Sequence, residues 1–141
     1  MSGRGSDGWE TVHTVNDFHD GPRGGVADYR GIPHAYRCLW NNEADDWGDV
    51  FNLSPIGAAQ FRDVEENWQI WRRWKVAHDA GQLAEGDHHP ALAAERGRHN
   101  ELQKSVLEAL RVDEDHAIRA TPEFRGTMEP VHALQVRWSS A

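Results

Sequence analysis

The segment from Asp17 to Tyr36 is rich in side chains that can bind ligands, ligate metals or transfer protons. Its carboxylates, imidazoles, guanidinium groups and phenols lie on a backbone with many Gly and Pro residues, which favours sharp turns. Such side chains bind ligands by hydrogen bonds and ion pairs when a fold presents them together. We therefore predict a ligand-binding turn and hairpin, with these binding residues: Asp20, Arg23, Tyr29, His34 and Tyr36.

Each of these residues has a predicted role. Arg23 and His34 would donate hydrogen bonds, Tyr29 and Tyr36 would supply flat contact area, and Asp20 would hold the turn. A purely architectural interpretation stays open. In it, aspartate side chains cap the turn and Arg23 pairs with a nearby carboxylate.

The same segment suggests a metal-assisted hydrolase as the alternative function. Carboxylates and imidazoles ligate metal ions and exchange protons as general acids and bases. The alternative ligand set is Asp17, His19, Asp20 and His34. Its spacing differs from the i, i+4 histidine pair of helical zinc motifs, so we expect no bound metal and no cofactor, and leave open whether the protein is an enzyme.

Alternation of period two puts four residues of the following strand on one face: His34, Tyr36, Cys38 and Trp40. We expect Cys38 and Trp40 in the core, because free Cys is among the most buried residue types. His34 and Tyr36 are expected to be exposed near the turn. Nothing around Cys38 matches a cysteine-hydrolase signature.

Two further groups have structural and functional interpretations. A metal could bridge the helices through a second set: His78, Asp87, His88, His89 and His99. Solvated loop histidines and a core His99 are the simpler explanation.

Aromatic residues at helical spacing, Trp68, Trp71 and Trp74, are predicted to be core rather than a stacking surface for a base or sugar.

Local patterns predict the order β-β-β-β-α-α-β-β. Strands are expected over 9–15, 25–29, 32–40, 47–53, 116–121 and 131–138, and helices over 54–80 and from 90 to 110 or 111. Ser54 and Pro55 would begin the first helix and Gly81 would end it. This order predicts an α+β fold, a mainly antiparallel sheet of unknown strand order packed against a two-helix hairpin.

Length and charge restrict the classes of function. The 141 residues fit a single domain over 9–141 after a flexible leader, residues 1–8. The net charge of −8 argues against nucleic acid and against anionic membranes as partners. Cys38 has no other cysteine to pair with, and the first residues lack the apolar core of a signal peptide, so we expect a cytoplasmic protein.

Two sequence motifs of this chain resemble those of a known protein family. Asp20-Gly-Pro-Arg-x-Gly-x-Ala27 is followed by Gly31-x-Pro-His-x-Tyr36, an acidic stretch and a Trp-rich helix. This pattern, over residues 9–80, resembles a family of small bacterial proteins of unassigned role. The resemblance implies no mechanism.

The leading hypothesis is a non-catalytic binding or regulatory domain whose partner is a protein or a small molecule. One version is an immunity- or antitoxin-like protein whose acidic surface meets a basic partner. A homodimer, joined through an exposed sheet edge or helix surface, is a third hypothesis.

Overall fold

The structure, a computed structural model, describes residues 8–83, 90–128 and 132–141. The chain divides into two compact units. The barrel unit comprises the residues up to Gly57 together with those from Leu110 onward, and the helical unit comprises Ala58–Ala109. Of the expected leader, residues 1–8, only Gly8 belongs to the described residues.

Antiparallel strands make up the barrel unit. In chain order they are β1 (Glu10–Phe18), β2 (Pro22–Tyr29), β3 (Ile32–Asn41), β4 (Asp46–Pro55), β5 (Ile118–Arg125) and β6 (Gln135–Ser140). Each strand pairs with the next, and β1 also pairs with β6, so the described strands form a closed barrel.

The predicted open sheet packed against a helix hairpin is therefore wrong, although the order of strands and helices is the expected one. Closure depends on a short contact in which Glu10 pairs with Val136 and Thr11 with Gln135. The β1–β2 register shifts at three places, and bulges of this kind bend a strand and increase its twist. Such coiling brings the first and last strands together, which strand periodicity alone does not encode.

Aromatic side chains fill the barrel interior. Tyr36, Phe51, Phe124 and Trp138 form a cluster in which neighbouring ring centroids lie between 5.9 and 6.4 Å apart. The Tyr36 hydroxyl donates to the Thr14 carbonyl at 2.9 Å. The Trp138 indole N–H donates to the carbonyl of Asp28 at 3.0 Å. The interior is thus a packed core whose two polar tips are both hydrogen-bonded.

The helical unit contains α1 (Ala58–Asp79), one 3-10 turn (Ala93–Glu95) and α2 (Arg96–Ala109). Ion pairs join the helices. Arg98 donates to both Glu66 carboxylate oxygens, at 2.6 and 2.7 Å, and Arg73 binds Glu95, which precedes α2. These pairs are largely exposed and contribute little to stability individually, but they favour one register of the hairpin.

The predicted start of α1 is wrong, whereas its predicted end is confirmed. Ser54 and Pro55 are the last residues of β4. At the other end, the Gly81 N–H donates to the His78 carbonyl and the Gln82 N–H to that of Ala77, the hydrogen bonds of a Schellman motif.

Burial in the helical unit agrees in part with expectation, because Trp71 and Trp74 are only partly buried although all three tryptophans are predicted in the core. Trp68 is buried and stacks on Trp71 at 5.0 Å, and His99 is buried, as predicted. Asp87, His88 and His89 of the second histidine set lie outside the described residues. No helix among the described residues combines the length and apolar character that crossing a membrane requires.

Candidate functional site

The five predicted binding residues do not meet in one cleft. Asp20 and Arg23 lie at the β1–β2 end of the barrel, whereas Tyr29 lies six residues beyond Arg23 at the opposite end of β2. At about 3.3 Å per residue, this separation is roughly 20 Å. His34 pairs with Ala27 near the Tyr29 end, and Tyr36 pairs with Gly25 between the two ends.

The turn that carries Asp20 is tight and partly left-handed. Asp20 has φ +56°, a conformation that Asp tolerates better than most residues. The His19 N–H donates to the Gly21 carbonyl at 2.9 Å across this turn. The predicted side-chain cap is not formed, because the Asp20 carboxylate makes no hydrogen bond to the rest of the described chain. Asp20 therefore shapes the turn through its backbone.

Backbone and aromatic contacts hold Arg23, and no carboxylate among the described residues pairs with it. Its Nε donates to the His19 carbonyl at 2.8 Å, and its guanidinium carbon lies 5.2 Å from the Trp47 ring centre. The expectation that a nearby carboxylate neutralises Arg23 is wrong. Arginine has five N–H donors, so a guanidinium held by these contacts has N–H groups left for a ligand.

Arg23 borders a cavity of about 500 Å³ at this end of the barrel. Three strands and the β1–β2 turn contribute the residues that line it: Asp20, Gly21, Pro22, Arg23, Gly48, Asp49, Phe51, Thr121, Pro122 and Phe124. We call this space the mouth cavity. Its aromatic residues Phe51 and Phe124 belong to the interior cluster, so the cavity has an apolar floor and a charged rim. This combination is typical of small-molecule sites.

Cys38 lies beside Arg23 but is not poised as a nucleophile. The thiol is buried, as predicted, and donates to the Gly48 carbonyl at 3.3 Å. Burial raises the pKa of the Cys38 thiol despite the opposing effect of Arg23, with Sγ 3.7 Å from the guanidinium. A thiol with a raised pKa remains protonated and unreactive near neutral pH.

The other predicted residues take structural positions. His34 is buried at 5% exposure, and its Nδ1 lies 2.7 Å from the Ile32 carbonyl. Tyr29 meets His34 edge to face, with ring centroids 5.3 Å apart. Tyr36 is 1% exposed. The expectation that His34 and Tyr36 are exposed is therefore wrong, because their strand face points into a closed barrel.

The prediction for Trp40 is wrong in the opposite direction, because this residue is more exposed than expected. Alternation predicts it in the core with Cys38, yet it is 48% exposed and meets Trp47 edge to face. A register shift between Cys38 and Trp40 interrupts the β3–β4 ladder. Bulges of this kind change which face a following side chain occupies.

The alternative metal set is not assembled. Asp17 pairs with Gly24 whereas His34 pairs with Ala27, three residues away along β2. Among the described residues, no three His, Cys, Asp or Glu side chains are placed to hold a metal ion together. The hydrolase hypothesis therefore has no ligand cluster in the described part of the chain.

Several residues of the mouth cavity are not identified by the sequence patterns. Asp49, Phe51, Pro122 and Phe124 come from strands remote in sequence from the predicted hairpin. Inward alternation within β4 and β5 is a signal for Phe51 and Phe124 as core. No local pattern indicates that they share a cavity with Arg23.

No family model, no curated protein and no solved structure matches this chain.

Proposed function

We propose that the barrel unit is a binding module for a small organic anion, which it takes up in the mouth cavity. Arg23 is the anion-binding residue, and Phe51 and Phe124 contact the apolar part of the ligand. The observation that carries the proposal is that one cavity has both an arginine without a carboxylate partner among the described residues and an aromatic floor.

The volume and chemistry of the cavity support this ligand class. About 500 Å³ falls within the range of roughly 300–1,000 Å³ that is usual for small-molecule sites. The fork of N–H groups on arginine matches a carboxylate or sulfonate, and a charged hydrogen bond contributes about 1.5–3 kcal/mol. Asp20 and Asp49 on the rim can accept hydrogen bonds from hydroxyl or amino groups of the same ligand.

The proposal keeps the binding hypothesis and narrows its site to the Asp20–Arg23 end of the predicted hairpin. No contact among the described residues favours the metal-assisted hydrolase. A basic protein partner, a homodimer and a cytoplasmic location remain predictions from the sequence.

Binding of 8-anilinonaphthalene-1-sulfonate tests the proposal, because this probe joins an anionic group to apolar rings and fluoresces when sheltered from water. We expect saturable binding to the folded protein, weakened roughly 10- to 100-fold by Arg23→Met, as expected for loss of a charged hydrogen bond. Displacement by 3-phenylpropionate but not by its neutral amide would show that the anionic group is required.

Arg37→Met is the matched control. Arg37 is an exposed arginine on β3 that pairs with Gly24 and does not border the mouth cavity. Its replacement removes the same charge from the molecule. Equal probe affinity in the Arg23 and Arg37 variants, with both folded by circular dichroism, would contradict the proposal.

A further inference from the structure

A second cavity, of about 360 Å³, lies at the opposite end of the barrel. Its lining includes the start of β1, the β2–β3 turn, the start of β5 and the end of β6. Three arginines and two serines border it: Arg30, Arg119, Arg137, Ser139 and Ser140. We call it the basic cavity.

Its arginines are only partly neutralised. Arg137 pairs with Glu123 at 2.6 Å and lies over the Trp9 ring, at 4.8 Å from its centre. Arg30 stacks on Tyr29, 5.3 Å from the ring centre. No carboxylate in the described part of the chain pairs with Arg30 or Arg119.

Among the described residues that line the basic cavity, Glu10 is the single one with a side-chain carboxylate, and that carboxylate already accepts a backbone hydrogen bond. Glu10 is 7% exposed and accepts a hydrogen bond from the Gly31 N–H at 2.7 Å. Three arginines and one glutamate thus line the basic cavity, in a chain whose net charge is −8. Clustering of like charges is unfavourable until a counter-charge binds among them.

We propose that the basic cavity binds a phosphate group. Guanidinium forks match phosphate oxygens in geometry as well as charge, and two of these three arginines have no competing ion pair with a described residue. Consecutive strand residues project to opposite faces, so one of the two lining serines, Ser139 or Ser140, adds a hydroxyl donor on the cavity side. This site is separate from the mouth cavity, with which it shares no lining residue.

Isothermal titration calorimetry tests the site by measuring the affinity for inorganic phosphate and for glycerol 3-phosphate at low ionic strength. We expect saturable binding of at least one of them, weakened about tenfold or more by Arg119→Gln and likewise by Arg30→Gln. Tighter binding of glycerol 3-phosphate indicates a small phosphomonoester as the ligand, and equal binding indicates free phosphate. Either result supports the phosphate site.

Arg37→Gln, which removes an exposed arginine outside the basic cavity, should leave phosphate affinity unchanged. Arg23→Met should also leave it unchanged, so failure of this site and failure of the mouth cavity are distinguishable. Absence of saturable binding at millimolar phosphate and glycerol 3-phosphate, or equal weakening in the Arg119 and Arg37 variants, overturns the proposal.

Discussion

Gly25 is a tightly constrained residue of the barrel wall. The Thr14 carbonyl group of β1 and the Tyr36 hydroxyl both lie close to the position that a Cβ atom of residue 25 would take. A Cβ atom at this position would overlap the Thr14 carbonyl oxygen and lie 2.9 Å from the Tyr36 hydroxyl oxygen. These are also the two atoms of the buried Tyr36–Thr14 hydrogen bond. The missing side chain of Gly25 therefore leaves room for that bond.

Gly25→Ala is expected to destabilise the protein by roughly 1–3 kcal/mol, because a methyl group is forced against fixed backbone in a packed interior. Gly24→Ala is the matched control. Its Cβ would meet its nearest neighbour, the Cβ of Asp17, at an ordinary 3.4 Å. Urea unfolding followed by circular dichroism measures both. Equal loss of stability in the two variants would show that the close approach at Gly25 has no energetic consequence.

Individual residues also show which features can be predicted from the sequence and which cannot. The tendency of free cysteine to be buried correctly predicts the position of Cys38, whereas nearness to the turn wrongly assigns His34 and Tyr36, on the same face, to the exposed end. Period two tells which residues share a face and not whether that face lies inside a closed surface. Residue type and turn context draw attention to Arg23, whose binding role stays a prediction, but they do not reveal that the contacts holding its guanidinium come from β4 and from the β1–β2 turn.

At the scale of elements, the helix ends differ in how strongly the local sequence specifies them. Gly81 has φ +69°, which a residue without Cβ adopts at little cost, and it ends α1 as predicted. Ser54-Pro55 carries an equally good helix-start pattern, yet Ser54 pairs with Ala35 in the β3–β4 ladder. Non-local strand pairing overrides a local capping preference there.

Two glycine substitutions in the helical unit should have opposite effects. Gly81→Ala forces a side chain into the left-handed conformation and should destabilise the protein by about 1–2 kcal/mol. Gly97→Ala, near the start of α2, places a Cβ in open space and should stabilise it by about 0.5–1 kcal/mol. Thermal unfolding at 222 nm reports both. A shift of the same sign in the two variants would contradict the assigned backbone roles.

At the scale of the whole barrel, the buried phenol of Tyr36 links the interior to the wall, because it donates a hydrogen bond to the backbone of β1. Burial, and secondarily the charge of Asp17, raises the pKa of Tyr36 far above its ordinary value near 10. Above that pH the unfolded chain loses the phenol proton while the folded barrel keeps it. The unfolded state then binds fewer protons, so the free energy of unfolding falls as pH rises.

Tyr36→Phe separates this effect from other alkaline titrations. At pH 8 the variant should be less stable by about 1 kcal/mol, because the Thr14 carbonyl loses its donor. Near pH 11 wild-type should have lost about 1.4 kcal/mol more than the variant, so the difference closes or reverses. Urea unfolding at both pH values measures the difference in free energy of unfolding between wild-type and variant. A stability difference that is independent of pH would show that Tyr36 ionises in the folded barrel.

Patterns within short stretches of the sequence predict much of the local structure: most strands and both helices, their order and the Gly81 stop. These features follow from alternation, helical periodicity and turn chemistry, which act over a few residues. Two features are visible only in the folded protein: β1 pairs with β6, and Arg23 shares a cavity with Phe51 and Phe124. Both depend on strand register and on coiling of the whole sheet, because the side chains concerned come from strands far apart in sequence and meet only when the barrel closes.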